Sequence, residues 1–126
     1  MRESFTAVLE RNRTLAGEFA TEPYEVAWAA EARWFVRTLE RTGAGTRMRV
    51  TTQVSPDGLH WCDLDDEREV SGDLATWESS GFGGWLRLKG SVDGGAGSGD
   101  DVPGDGAPGD GGAAAAKVMI YLALKS

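Results

Sequence analysis

Residues 51–63 read TTQVSPDGLHWCD, and this stretch decides the fold class. Through residues 47–54, apolar and polar residues alternate one by one, as they do in a strand with one buried face and one solvated face. The alternation then stops, because Pro56 presets a turn dihedral and Gly58 tolerates the positive φ that closes a tight loop. The stretch therefore predicts a β-hairpin whose second strand covers residues 59–64.

Two later segments repeat this alternation. Residues 85–92 and residues 117–125 each place apolar side chains at every second position, and we expect them to be neighbouring strands. Residues 29–40 have a composition that fits a helix or a strand. The turn at 42–45 and the clear strand after it favour a strand over residues 33–41 that pairs with its successor. Shorter strands are predicted at residues 5–9, 17–20, 24–28, 70–74 and 76–79.

These segments predict an all-β protein, an antiparallel β-sandwich of the jelly-roll type. Residues 1–126 are expected to form a single domain. Residues 94–116 are rich in glycine and aspartate and have little to bury, so we predict a disordered or mobile insertion before the last strand. The expected core consists of Val50, Val54, Leu86, Leu88, Val118, Ile120, Leu122 and Leu124.

The composition of the chain excludes several classes of function. A net charge of −7 disfavours binding to nucleic acid or to an anionic membrane, since both would repel the chain. The sequence has a single cysteine and no continuous apolar segment, so it predicts no intramolecular disulfide, signal peptide or transmembrane segment. We expect a cytoplasmic location or a place in an assembled particle.

The sequence offers few residues for a catalytic or metal site. His60 is the only histidine, and a nucleophile such as Cys62, two residues away, would need it as a base. The carboxylates that follow, beginning with Asp63, oppose formation of a thiolate. A closed zinc site usually needs four ligands from separate pairs, and a second Cys or His pair is absent from the sequence. The sequence therefore predicts no enzyme activity, no cofactor and no assigned metal site, and it leaves open whether the acidic segments bind calcium.

The five tryptophans are the remaining candidates for a binding role. Tryptophans are most often core or interface anchors, and exposed ones also stack on sugar rings. Trp85 lies on the strand face opposite the leucines, and Trp61 follows the turn directly. The candidate interface or ligand contacts are Trp61, Trp85 and Trp77.

Three segments also carry a family resemblance: QVSPDGLHWCDL at residues 53–64, FGGWLRLKGSV at 82–92 and KVMIYLALK at 117–125. Together they resemble the small jelly-roll or sandwich structural proteins of tailed phages and phage-derived particles. The resemblance implies a strand that ends in QVS, a DG turn, and an apolar strand at the end of the chain. It implies no catalytic residues, and similar strings occur in sandwich modules that bind sugars or surfaces.

Two functions follow as hypotheses. The first is a non-enzymatic structural protein that self-associates into a symmetric or repeating assembly, as a phage-like particle component or a bacterial shell or filament subunit. Its partners would be further copies or other assembly proteins, and the strand at residues 5–9 is a candidate for pairing between subunits. The alternative is a carbohydrate-binding sandwich that contacts a glycan through exposed tryptophans.

Overall fold

The computed structural model describes residues 3–94 and 114–126, and these residues form an all-β, antiparallel β-sandwich. Within these two ranges there are ten strands and no helix. The strands are β1 (Ser4–Leu15), β2 (Gly17–Ala20), β3 (Tyr24–Glu25), β4 (Glu31–Thr42), β5 (Arg47–Ser55), β6 (Cys62–Asp63), β7 (Arg68–Val70), β8 (Leu74–Ser79), β9 (Trp85–Asp93) and β10 (Ala115–Lys125).

The strands are divided between two sheets. The first sheet has the order β1-β10-β4-β8, and the second has the order β2-β9-β5-β6, with β3 also paired to β9 and β7 to β5. The chain therefore passes repeatedly from one sheet to the other. The antiparallel sandwich is as predicted, and the finer jelly-roll assignment stays a prediction that the interleaved strand order supports.

The core lies between the sheets and follows the alternation in the sequence. In β10 every second residue from Ala116 to Leu124 is buried, and β9 buries Leu86, Leu88 and Val92 in the same way. Of the predicted core residues, all are buried except Val54, which is half-buried and packs against the core. The period of two in these strands thus identified the buried faces correctly.

The predicted strand neighbours were wrong in two places. β4 does not pair with β5: it lies between β10 and β8, whereas β5 pairs with β9. β9 and β10 are not neighbours either, because they lie in opposite sheets. Alternation specifies which face of a strand is buried. It does not specify the sheet to which the strand belongs, because both sheets of a sandwich turn an apolar face towards the core. The short link at residues 43–46 therefore crosses between sheets instead of closing a hairpin.

Several predicted boundaries also change. The strand predicted at residues 5–9 extends to Leu15, and the second strand of the hairpin is reduced to Cys62–Asp63, so that residues 56–61 form a loop. Most of the predicted insertion, residues 95–113, lies outside the described residues, whereas Ala115 and Ala116 already belong to β10. No helix in the described ranges is long and apolar enough to cross a membrane.

Candidate functional site

The loop after β5 is held by side chains that bond its own backbone. The Ser55 hydroxyl accepts a hydrogen bond from the Gly58 amide at 2.8 Å. The Asp57 carboxylate accepts bonds from the amides of Leu59 at 2.8 Å and His60 at 2.9 Å, and it lies 2.7 Å from His60 Nδ1. The hydrogen bonds from His60 and Leu59 hold the pKa of Asp57 well below its ordinary value. The loop is therefore a turn held together by its own hydrogen bonds. The His60 side chain contacts the Asp57 carboxylate in this turn and has no hydrogen bond to Cys62.

Trp85 supports this loop from the strand beneath it. Gly58 has a φ of 82°, and a Cβ atom added there would lie 3.3 Å from the Trp85 ring. Glycine is thus needed at this position both for its backbone conformation and for the close approach of the indole. The predicted contact residue Trp85 is half-buried, and the loop covers part of its ring.

Trp61 lies on the outer face of the second sheet and belongs to a polar network. The Arg87 guanidinium is 4.3 Å from the centre of its ring, a cation–π contact. Arg87 Nε donates to Gln53 Oε1 at 2.9 Å, and Gln53 Nε2 donates to Asp63 Oδ1 at 2.9 Å. Burial lowers the pKa of Arg87 from its ordinary value. The half-buried indole is therefore fixed at the end of a row of hydrogen-bonded side chains.

A shallow cleft of about 220 Å³ adjoins this network and shares Gln53 and Asp63 with it. The side chains around the cleft carry charges of both signs and provide hydrogen-bond donors and acceptors. The lining residues are Glu18, Thr51, Gln53, Asp63, Glu67, Lys89, Gly90 and Ser91. Such a lining suits a polar, hydroxyl-rich molecule better than an apolar one. We refer to the cleft and Trp61 together as the polar cleft.

Trp77 is not a surface contact, and the expectation for it is corrected by the structure. Only 6% of its surface is exposed, and its indole Nε1 donates to Thr52 Oγ1 at 3.1 Å. Its ring stacks on that of Trp34 at 6.3 Å, and the Arg68 guanidinium covers it at 4.8 Å. Because β8 lies in the first sheet and β5 in the second, the Trp77–Thr52 bond joins the two sheets through the core.

The described residues contain no group of three or more His, Cys, Asp or Glu side chains that could hold a metal. Cys62 is an exposed thiol in β6, opposite Val54. His60 is also exposed, with Asp57 as its bonded partner. The two residues that a nucleophilic mechanism would need are therefore not joined by a hydrogen bond.

The outer face of the first sheet carries an apolar row that sequence reasoning missed. Val8 lies opposite Tyr121, and Tyr121 lies opposite Phe35, so the three side chains cross β1, β10 and β4 side by side. Val8 is exposed, and the two rings are half-buried. We call these three residues the outer apolar row. The signal in the sequence was that these strands also have large apolar residues at positions of the solvated face.

A second depression, of about 210 Å³, lies beside this row on the same outer face. Phe35 and Ala123 provide apolar surface, and four charged residues of both signs stand around them. The lining consists of Glu31, Ala32, Arg33, Phe35, Glu78, Ala123 and Lys125. No strand of the described residues packs against this face. The face thus combines an apolar centre with a charged rim, the arrangement found at many protein interfaces.

The comparisons with known proteins identify no family for the chain. No family model matches the sequence, and no curated protein matches it. A crystal structure of FLHE is similar to the chain at 17% sequence identity, with a TM-score of 0.44. That match covers 99% of this chain and 95% of the other. A similarity this low carries no argument about function.

Proposed function

We propose that this chain is a non-enzymatic structural protein that self-associates into a symmetric or repeating assembly. The observation that carries the proposal is the outer apolar row of Val8, Phe35 and Tyr121 on a sheet face that no described strand covers. Apolar surface removed from water contributes about 25 cal/mol per Å². The free energy therefore falls when another protein surface covers this row and removes it from water.

The charged rim of the same face supports a second copy of the chain as the partner. Arg33 and Lys125 stand beside Glu31 and Glu78 around the depression at Phe35. Two copies related by a two-fold axis present the same patch to each other, so both signs of charge are available on each side. Opposite charges at the rim contribute chiefly to orientation and to the choice of partner. Self-association is consistent with this mixed rim.

The kind of assembly is inferred from the sequence. The resemblance of residues 53–64, 82–92 and 117–125 to phage-derived sandwich proteins supports a particle component, and a bacterial shell or filament subunit has the same physical requirements. Each needs a small, rigid module with more than one contact surface. The rigid turn after β5 and the outer face of the first sheet are suited to that role.

Sedimentation velocity over a wide concentration range tests self-association directly. We expect the wild-type chain to form oligomers and Phe35→Ser to weaken them, with the circular dichroism spectrum unchanged. Lys89→Ser, on the outer face of the other sheet, is the matched control and should leave association as it is. A wild-type chain that stays monomeric at every concentration refutes the proposal.

The polar cleft supports carbohydrate binding as a second candidate function. An indole ring offers an apolar face to the C–H groups of a sugar, and the exposed side chains of Glu67 and Lys89 in the cleft lining offer partners for its hydroxyls. We expect glycan-array binding to be lost in Trp61→Ala. Trp28→Ala, which removes an exposed tryptophan from a turn elsewhere, is the control. Glycan binding that survives Trp61→Ala, or its complete absence in the wild-type chain, counts against this function.

A further inference from the structure

The edges of the two sheets are protected to different degrees. Among the described residues, the second sheet ends in short strands: β2 has four residues, β3 and β6 have two each, and β7 has three. The far edge of the first sheet, β8, has six residues and carries Glu78. Short and charged edges resist pairing with another chain. β1 is different, because it is an edge strand of 12 residues.

Among the residues that the structure describes, only the first half of β1 is an edge open to pairing. Residues Ser4 to Val8 follow β10 in unbroken register and contain no charge and no proline. The second half has two register shifts, a positive φ at Asn12 and charged side chains at Glu10, Arg11 and Arg13. Bulges and charges are common means of protecting an edge. Residues 4–8 lack both.

In the first half of β1, the backbone N–H and C=O groups that do not face β10 point away from the sheet. The Glu3 amide donates to Ser126 Oγ at 2.8 Å, and the Glu3 carbonyl accepts from the Ser126 amide at 2.9 Å, so Glu3 faces β10. Backbone direction alternates along a strand of an antiparallel sheet. The N–H and C=O groups of Ser4, Thr6 and Val8 therefore face the open edge, and their side chains are exposed.

We propose that residues 4–8 of β1 pair with the same residues of a second copy, antiparallel, about a two-fold axis at Thr6. This pairing continues the first sheet from one copy into the next. The inference rests on the proposed self-association and adds a second contact surface, at the sheet edge beside the outer apolar row. The two-fold axis sets Thr6 opposite Thr6 of the second copy and Ser4 opposite Val8, so that all the facing backbone groups are those left free by β10.

The side chains agree with this register. Phe5 and Ala7 point to the core side of the sheet, whereas Ser4, Thr6 and Val8 point to its outer face. An axis at Thr6 keeps each pair on one face and sets the large Phe5 against the small Ala7. An axis between two residues would instead oppose side chains of different faces. Because the segment is uncharged, two copies bring no like charges together at the seam.

A disulfide crosslink tests the register. Residues that exchange two hydrogen bonds in an antiparallel pair have Cα atoms about 5.5 Å apart, within the range that a disulfide spans. In a Cys62→Ser background, Thr6→Cys should form a crosslinked dimer under mild oxidation about tenfold faster than Thr76→Cys, because pairing raises the effective thiol concentration. Thr76 is the matched control, since it is an exposed threonine on β8, the other edge of the same sheet.

A charge at the axis provides an independent measurement by sedimentation. Thr6→Lys opposes two like charges and should raise the dissociation constant about tenfold or more, whereas Thr6→Ser should leave it unchanged. If the wild-type chain self-associates but Thr6→Cys crosslinks no faster than Thr76→Cys, pairing through β1 is overturned and self-association stands. If the wild-type chain is monomeric at every concentration, both self-association and pairing through β1 are overturned.

Discussion

The hydrogen bond between Trp77 and Thr52 gives a quantitative prediction about the core. The indole Nε1 donates to Thr52 Oγ1 at 3.1 Å, and both residues are buried, with Thr52 fully enclosed. Thr52→Val keeps nearly the same shape but removes the acceptor, so the indole N–H is left buried without a partner. Leaving such a donor unsatisfied costs about 1–3 kcal/mol. We expect the free energy of unfolding to fall by that amount.

The assay is urea denaturation followed by tryptophan fluorescence and circular dichroism. Thr38→Val is the matched control, because Thr38 is also buried but its hydroxyl has no hydrogen-bond partner among the described residues. Removing an unsatisfied hydroxyl should leave stability unchanged or raise it. The same chemical change in two buried threonines of different sheets thus has different expected outcomes.

A double-mutant cycle with Trp77→Phe isolates the bond itself. Trp77→Phe removes the donor and some packing, so Thr52→Val should cost less in that background than in the wild-type chain, with a coupling of at least about 0.5 kcal/mol. The reasoning is refuted if Thr52→Val and Thr38→Val have equal effects. Additive losses in the cycle would also refute it, since they would show no interaction between the two side chains.

Two further predictions concern the loop after β5. Gly58→Ala should lower the free energy of unfolding by about 1–2 kcal/mol, since it places a side chain at positive φ and against Trp85. Gly72 has a similar φ but open space around it, so Gly72→Ala should lower the free energy of unfolding by less in the same urea titrations. The hydrogen bonds from His60 lower the pKa of Asp57 in the folded protein below the value of 3.8 that it has in the unfolded chain. The ionised carboxylate therefore stabilises the fold at pH values above about 4, and this contribution is lost progressively as the pH falls below about 4. Unfolding measured from pH 5 to pH 2 should therefore vary less in Asp57→Asn than in the wild-type chain, and parallel curves would contradict the assignment.

Local pattern was sufficient for the strands with the strongest alternation. β9 and β10 follow the predicted period of two, and their buried faces are those expected. β5 follows it from Met48 to Thr52, after which Gln53 and Ser55 on the other face are also buried. The ambiguous segment at residues 29–40 was correctly predicted as a strand, now Glu31–Thr42. The loop chemistry of Pro56 and Gly58 was also visible in the sequence, since their backbone preferences are intrinsic to the residues.

The candidate surfaces were predictable only in part. Trp61 was identified as a surface candidate, but it lies in the loop before β6 and its partner Arg87 lies in β9, and no local signal joins them. Trp77 was predicted to be a contact residue, yet its side chain points into the core, where its partner Thr52 belongs to the opposite sheet. The outer apolar row was missed because its members lie on three strands that are distant in sequence.

The sequence by itself determined that this chain is an antiparallel β protein, which faces of its main strands are buried, and where the turn after β5 lies. These properties follow from side-chain alternation and from backbone preferences that act over a few residues. Only the tertiary structure decided that β4 and β5, and likewise β9 and β10, lie in opposite sheets, and that β1 is an edge strand of its sheet among the described residues. Pairing depends on contacts between distant residues, and two sheets with similar buried faces offer a strand several partners that only global packing distinguishes.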